Sequence, residues 1–231
     1  MISSLGLLDG ITASGIVLSS AVFGILSFYR ARKLGAKLLA WAGLTMFFTG
    51  FLWLGPTVDF FMVLVTNTHI TPTWFYSLFS YTWVVPALVV AMYLGGSLMF
   101  PKKKWVIVGI FIALGLIFEY FLYFENANSF NYPPPPAGDL IDARFKQSYY
   151  TFFFVAVFLL ATLILLGIGF LIKAKQATGE LRKKFIYLAI GFIIFVLCGA
   201  LDSILTLPVA IGFVRVVMMT FALWMYLGLK S

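Results

Sequence analysis

The run FIYLAIGFIIFVLCGALDSILTLPVAIGFVRVVMMTFALWMYLGL, residues 185–229, decides the fold. It holds two apolar stretches, each of about the 20 residues an α-helix needs to cross hydrocarbon, separated by Pro208. A proline just past a helix end cannot continue that helix, so the stretches read as neighbouring helices joined by a tight hairpin. Only two charged side chains interrupt them, Asp202 and Arg215. They flank the turn at similar distances, which suits a carboxylate–guanidinium hydrogen bond between adjacent helices.

The same reading, carried back toward the amino terminus, finds further apolar segments at about residues 11–30, 38–65, 74–99, 105–124 and 148–172, which with 185–207 and 209–229 make seven. Of the 231 residues, 62% are hydrophobic and 10% charged, and the mean hydropathy is +1.04. That composition excludes a water-soluble enzyme, a disordered chain and an ordinary nucleic-acid binder. The expected fold is all-α: a polytopic membrane protein folded as a single seven-transmembrane helix bundle over residues 1–231. The opening MISSLGLLDG carries Asp9 and no basic residue, so it reads as a short retained tail rather than a cleaved signal peptide.

Lysine and arginine set the expected orientation, because their excess stays on the cytoplasmic side. Arg30, Arg32, Lys33 and Lys37, then Lys102, Lys103 and Lys104, then Lys173, Lys175, Arg182, Lys183 and Lys184, and finally Lys230 fall in alternate connections; only Arg144 and Lys146 fall in the others. The amino terminus is therefore expected outside and the carboxyl terminus in the cytoplasm of a multi-pass cell-membrane protein. Topology accounts for the net charge of +8 without a nucleic-acid partner. The expected partners are the lipid bilayer and a membrane protein or further copies of the chain. One long exterior loop, with the proline run at residues 131–136, reads equally as a cap on the bundle or a semi-rigid spacer.

Charged groups at bilayer depth cost several kcal/mol, of order 3 or more, unless paired or hydrated, so they are candidates for function. Asp59, Glu119, Asp202 and Arg215 all lie about five to seven residues from the exterior ends of their helices, close to one depth. They are expected to form an intramembrane polar layer, with Asp202 and Arg215 as either a pair that fixes register or part of a pocket open to the exterior. Glu119 is close enough to the interface to snorkel instead. Gly55 and Pro56 precede Asp59, so a kink there is expected to free backbone carbonyls beside it. Tyr81 and Thr82, with Ser77 and Ser80, add hydroxyls on the same side, which also serve as interhelical glue. His69, the single histidine, reads as an interfacial side chain or a sensor of external pH.

Other chemistry is missing. One histidine and one cysteine, Cys198, cannot build a bis-histidine haem, a zinc site or an internal disulfide, and no GxSxG or Gly-rich phosphate loop occurs. No cofactor or metal is expected. A retinal protein attaches its chromophore to a lysine in the last helix, where this chain has Arg215.

Residues 30–55, RARKLGAKLLAWAGLTMFFTGFLWLG, and 179–205, GELRKKFIYLAIGFIIFVLCGALDSIL, resemble the seven-transmembrane sensor region of prokaryotic histidine kinases. The likeness lies in basic loops leading into Gly- and aromatic-containing helices and in the Leu201–Asp202 pair. It implies a sensor, and since no kinase domain lies within these residues, one that signals through a separate partner. The sequence alone also admits an accessory subunit of a membrane complex. A small transporter or channel for a cation, proton or polar solute is a further reading, with helices one to three and five to seven as parallel repeats.

Overall fold

The computed structural model describes residues 2–230. Among them are seven helices long and apolar enough to cross a membrane: α1 Ser4–Lys33, α2 Lys37–Thr66, α3 Trp74–Met99, α4 Lys104–Phe124, α5 Tyr150–Gln176, α6 Gly179–Ile204 and α7 Pro208–Leu229. Pro208 starts α7 in its first turn, where the missing N–H is unneeded and the fixed φ already suits a helix. The α6 and α7 helices pack as an extensive hairpin, α7 packs in turn on α1, and α1 on α2 in the most extensive pairing among the described residues. From there the bundle continues through α3 and α5 back to α6. α4 sits at its edge, burying only the stripe Val108, Gly115, Phe118 and Leu122.

The main core is an apolar cluster that includes Met46, Met92, Phe118, Phe192, Met218 and Phe221, and a smaller one gathers Phe60 and Val63 of α2 with Leu140 of the α4–α5 connection. Large apolar side chains also cover the outside: Leu18, Trp105 and Phe213 are each more than 60% exposed. An outer surface this apolar is compatible with a multi-pass membrane protein rather than with water.

Helix α1 starts earlier than the sequence reading placed it. Ser3 stands in extended conformation and its side chain accepts the Gly6 N–H at 2.9 Å, an N-cap that extends the helix back to Ser4. From Ser4 onward the residues read as a tail are thus helical, and Asp9 lies in the second turn of α1 rather than before it. This end is anchored further: Ser3 N donates to the Gly138 carbonyl at 2.8 Å, and its hydroxyl donates to Asp139.

Two helices are interrupted near the same level. α2 passes through a 3-10 turn at Phe51–Trp53 before resuming at Leu54, and α3 breaks between Tyr81 and Val84, ahead of Pro86. The groups released by the first break are paired. Gly55 N–H donates to Ser80 Oγ at 3.0 Å, and the Trp53 carbonyl accepts from Thr57 Oγ1 at 2.8 Å. The helix is therefore interrupted ahead of Asp59, and the Trp53 carbonyl at the interruption already accepts a hydrogen bond from its own helix. Gly55 is required here because a Cβ on it would lie 2.3 Å from the Tyr76 carbonyl oxygen and 2.4 Å from Ser80 Oγ. Gly55→Ala is expected to destabilise the protein by about 1–3 kcal/mol, the usual range for overpacking a tight contact, read as a lowered midpoint in denaturant unfolding. An unchanged midpoint would show that α2 and α3 separate freely at this point.

The long connection between α4 and α5 is folded. After a single helical turn at Asn126–Ser129, β1 Phe130–Asn131 pairs antiparallel with β2 Arg144–Phe145, setting Phe130 opposite Phe145. Both rings are buried and pack on Tyr81, with centroids 5.1 and 4.7 Å away. Leu140, Ile141 and Ala143 are buried as well. The connection is a lid with its own apolar underside, which resolves the cap-or-spacer alternative in favour of the cap.

Candidate functional site

Asp202 and Arg215 meet, as the hairpin geometry requires. Arg215 Nε donates to Asp202 Oδ1 at 2.7 Å, and Nη2 lies 3.5 Å from Oδ2. Trp53 Nε1 donates to that same Oδ2 at 3.2 Å. The remaining terminal nitrogen, Nη1, donates to Asp9. Arg215 is 7% exposed, so the guanidinium is shielded from water, while the Asp9 side chain is 30% exposed. Two carboxylates share one guanidinium, which leaves the trio one formal negative charge in excess.

The other acids do not join it. Asp59 is fully buried and does the work of a backbone acceptor: the Ile70 N–H reaches Oδ1 at 2.9 Å, and the Ile141 N–H reaches Oδ2, also at 2.9 Å. His69 Nδ1 lies 3.1 Å from Oδ2. One carboxylate on α2 therefore ties down both the 67–73 connection and the lid. His69 belongs to this latch, a role outside both sequence readings of it. Glu119 is half-buried on α4, and its Oε2 has no hydrogen-bond partner among the described residues. Thr82 exchanges a 2.8 Å hydrogen bond with the Tyr123 hydroxyl on the exposed side of the α3 break. The expected single layer of acids is thus two separate constructions, and the acid that completes the Arg215 cluster is Asp9. The signal that could have found it was the Ser3–Ser4 capping pair ahead of an apolar run.

Between the cluster and the lid is a cavity of about 630 Å³, within the usual range for small-molecule sites. Asp202 and Arg215 form part of its floor, and Trp53, Tyr76, Tyr81 and Phe195 contribute aromatic walls. Lid residues Asp142, Arg144 and Lys146 stand at the rim. Arg144 Nε is paired with Asp142 at 2.6 Å, and Lys146 Nζ donates to the Ala127 carbonyl at 2.7 Å. Leu52, Val84, Val155, Leu159 and Phe195 line both this cavity and a narrow apolar slot of about 70 Å³ deeper in the bundle. Arg215 also borders a second cavity, of about 300 Å³, on the side of Asp9 and the proline run.

The lid is secured over this site by polar contacts to α3. The Tyr132 hydroxyl lies 2.7 Å from Ser77 Oγ and 2.6 Å from Asn126 Oδ1, and Asn126 Nδ2 donates to Ser77 Oγ at 2.8 Å. Burial pushes the Tyr132 phenol up to about 12, so it remains a neutral hydroxyl across the ordinary pH range. Among the described residues no group of three or more His, Cys, Asp and Glu side chains is placed to hold a metal ion. What the site can do chemically is hold a small solute against an acid, a guanidinium and several rings. No protein-family model matches the chain, nor does any curated protein or solved structure.

Proposed function

We propose that this is a non-enzymatic, sensor-like integral membrane protein whose lidded cavity binds a small solute arriving from outside the cell. The orientation follows from charge: the connections carrying nearly all the lysine and arginine are assigned to the cytoplasm and the lid to the exterior. The observation that carries the reading is the 630 Å³ cavity with a charged floor and aromatic walls, a combination that favours ligand binding over mere packing. The lid's attachment to both the α2 carboxylate and the first helix means that occupancy of the cavity bears on several helices at once. A cytoplasmic partner docking on the basic end is the route by which such a change is read.

Gly199 supplies the test. It lines the cavity, and a Cβ on it would meet only Leu159 Cδ2, at 3.9 Å. A Cβ therefore fits there, Gly199→Leu is expected to intrude on the cavity and narrow it, and removing a helical glycine adds about 1 kcal/mol of helix propensity. Thermal melting in nanodiscs across a panel of small amines, acids and alcohols should show at least one compound that raises the wild-type midpoint and none that raises the variant's. A panel on which the two proteins respond alike would dispose of the cavity as a binding site.

A second reading is transport of a small solute. The observation favouring it is that α2 and α3 break beside the cavity and that α5 carries a π-helical turn at Leu163–Ile168, since interrupted helices mark the binding sites of many transporters. Proteoliposome flux of any compound identified in the melting panel separates the two: binding with no flux supports the sensor, and saturable flux abolished by Gly199→Leu supports transport.

A further inference from the structure

Resting on the binding reading above, we propose that the ligand of the large cavity is an organic ammonium ion with an apolar body, its charge set against Asp202 and its apolar end in the slot below. Four observations converge on this class. The first is charge. Asp9 and Asp202 share Arg215, so the trio at the floor carries one formal negative charge in excess, and the cation left over among the cavity's lining residues, Lys146, is held on a backbone carbonyl of the lid rather than at the floor.

The second is the open side of Asp202. Its side chain is 15% exposed and lines the cavity, while Oδ2 receives only the long contacts from Trp53 at 3.2 Å and Arg215 at 3.5 Å. A carboxylate has about four lone-pair sites, so this oxygen has room for a further donor. The basic groups at the rim do not compete for it, because Arg144 is engaged by Asp142 and Lys146 by a backbone carbonyl.

The third is the walls. Trp53, Tyr76 and Tyr81 stand around the acid, and the negative faces of such rings attract an ammonium group while tolerating its methylenes. The fourth is the slot. It is lined by Leu88, Ala91, Phe158 and Phe192, and two of its hydroxyls, Thr45 and Thr162, donate to carbonyls of their own helices. With Thr49 as its remaining hydroxyl, it offers a mainly apolar end contact. An organic anion of the same shape would find the guanidiniums already engaged, Arg215 by Asp9 and Asp202 and Arg144 by Asp142.

The full chain in lipid nanodiscs is titrated by calorimetry with phenethylammonium, its neutral isostere phenethyl alcohol, and hydrocinnamate, each corrected against empty nanodiscs. The ammonium ion is expected to bind about tenfold or more tightly than the alcohol, a modest increment for one desolvated charge pair, and hydrocinnamate no more tightly than the alcohol. Asp202→Asn leaves Arg215 paired one-to-one with Asp9, so it should fold and should erase the preference. If the alcohol or hydrocinnamate binds wild-type protein as tightly as the ammonium ion, the ligand class is wrong while the cavity remains a binding site. If none of the three binds, the class is equally wrong, and the Gly199→Leu comparison decides the cavity separately. The comparison of the three compounds on wild-type protein holds even should the Asn variant misfold.

Discussion

Arg215→Ala is expected to destabilise the protein by about 3–5 kcal/mol, the range for removing one member of a buried ionic cluster. The size follows from what remains. Without the guanidinium, Asp9 and Asp202 lose their common donor, and two like charges are left close together with only partial access to water, their side chains 30% and 15% exposed. A simple pair would be relieved by deleting the single partner, but this cluster is a trio, so relief comes in steps. Arg215→Ala with Asp202→Ala still strands Asp9 and should recover only part of the loss. Adding Asp9→Ala removes the last unpaired charge and should recover more. Measuring unfolding midpoints for the single, double and triple variants checks the order, which is non-additive in the way expected of groups acting through one shared partner. A triple variant no more stable than the double would mean that Asp9 is not part of the cluster.

Asp59→Ala is the second large effect, and it should be felt in the lid rather than spread over the bundle. The substitution leaves the N–H groups of Ile70 and Ile141 without their acceptor, and both residues are at most 3% exposed. Each stranded donor costs about 1–3 kcal/mol. The two segments hang from one carboxylate, so hydrogen exchange should accelerate at Ile70 and Ile141 together, while amides in the α6–α7 hairpin keep their protection. Asp59→Asn should lie between, because the amide oxygen can accept from one N–H while its NH2 faces the other. Loss at one segment alone would show that the lid and the 67–73 connection are held independently.

These two variants separate what the polar groups do. Arg215 joins three helices, α1, α6 and α7, at the floor of the cavity; Asp59 joins a helix to two connections at its roof. Residues that looked alike in one dimension, acids a few positions inside apolar segments, have unlike roles because a helix position specifies depth but not azimuth. Asp202 faces Arg215 because its hairpin brings the partner helix alongside at the same height. Asp59, on α2, faces the lid and the 67–73 connection, where two unpaired backbone N–H groups were the stronger claim on a carboxylate. Glu119 shares their depth on α4, the helix at the edge of the bundle, and touches neither construction.

Local sequence was enough for everything that depends on length, apolarity and the pairing of consecutive helices. Helix-length apolar runs separated by basic or turn-forming connections specify seven long helices, and a single proline between the last two specifies their hairpin together with its Asp202–Arg215 contact. Tertiary structure decided everything that depends on which faces meet: that Asp9, from the far end of the chain, shares the guanidinium of Arg215; that Asp59 and His69 form a latch; and that the proline-containing connection folds down as a lid over a cavity. The physical reason is that backbone hydrogen bonds within a helix are satisfied locally and can be read from any apolar run, whereas a buried charge or stranded N–H is satisfied by whatever partner packing brings within about 3 Å, and that partner may lie some 200 residues away, as Asp9 does from Arg215.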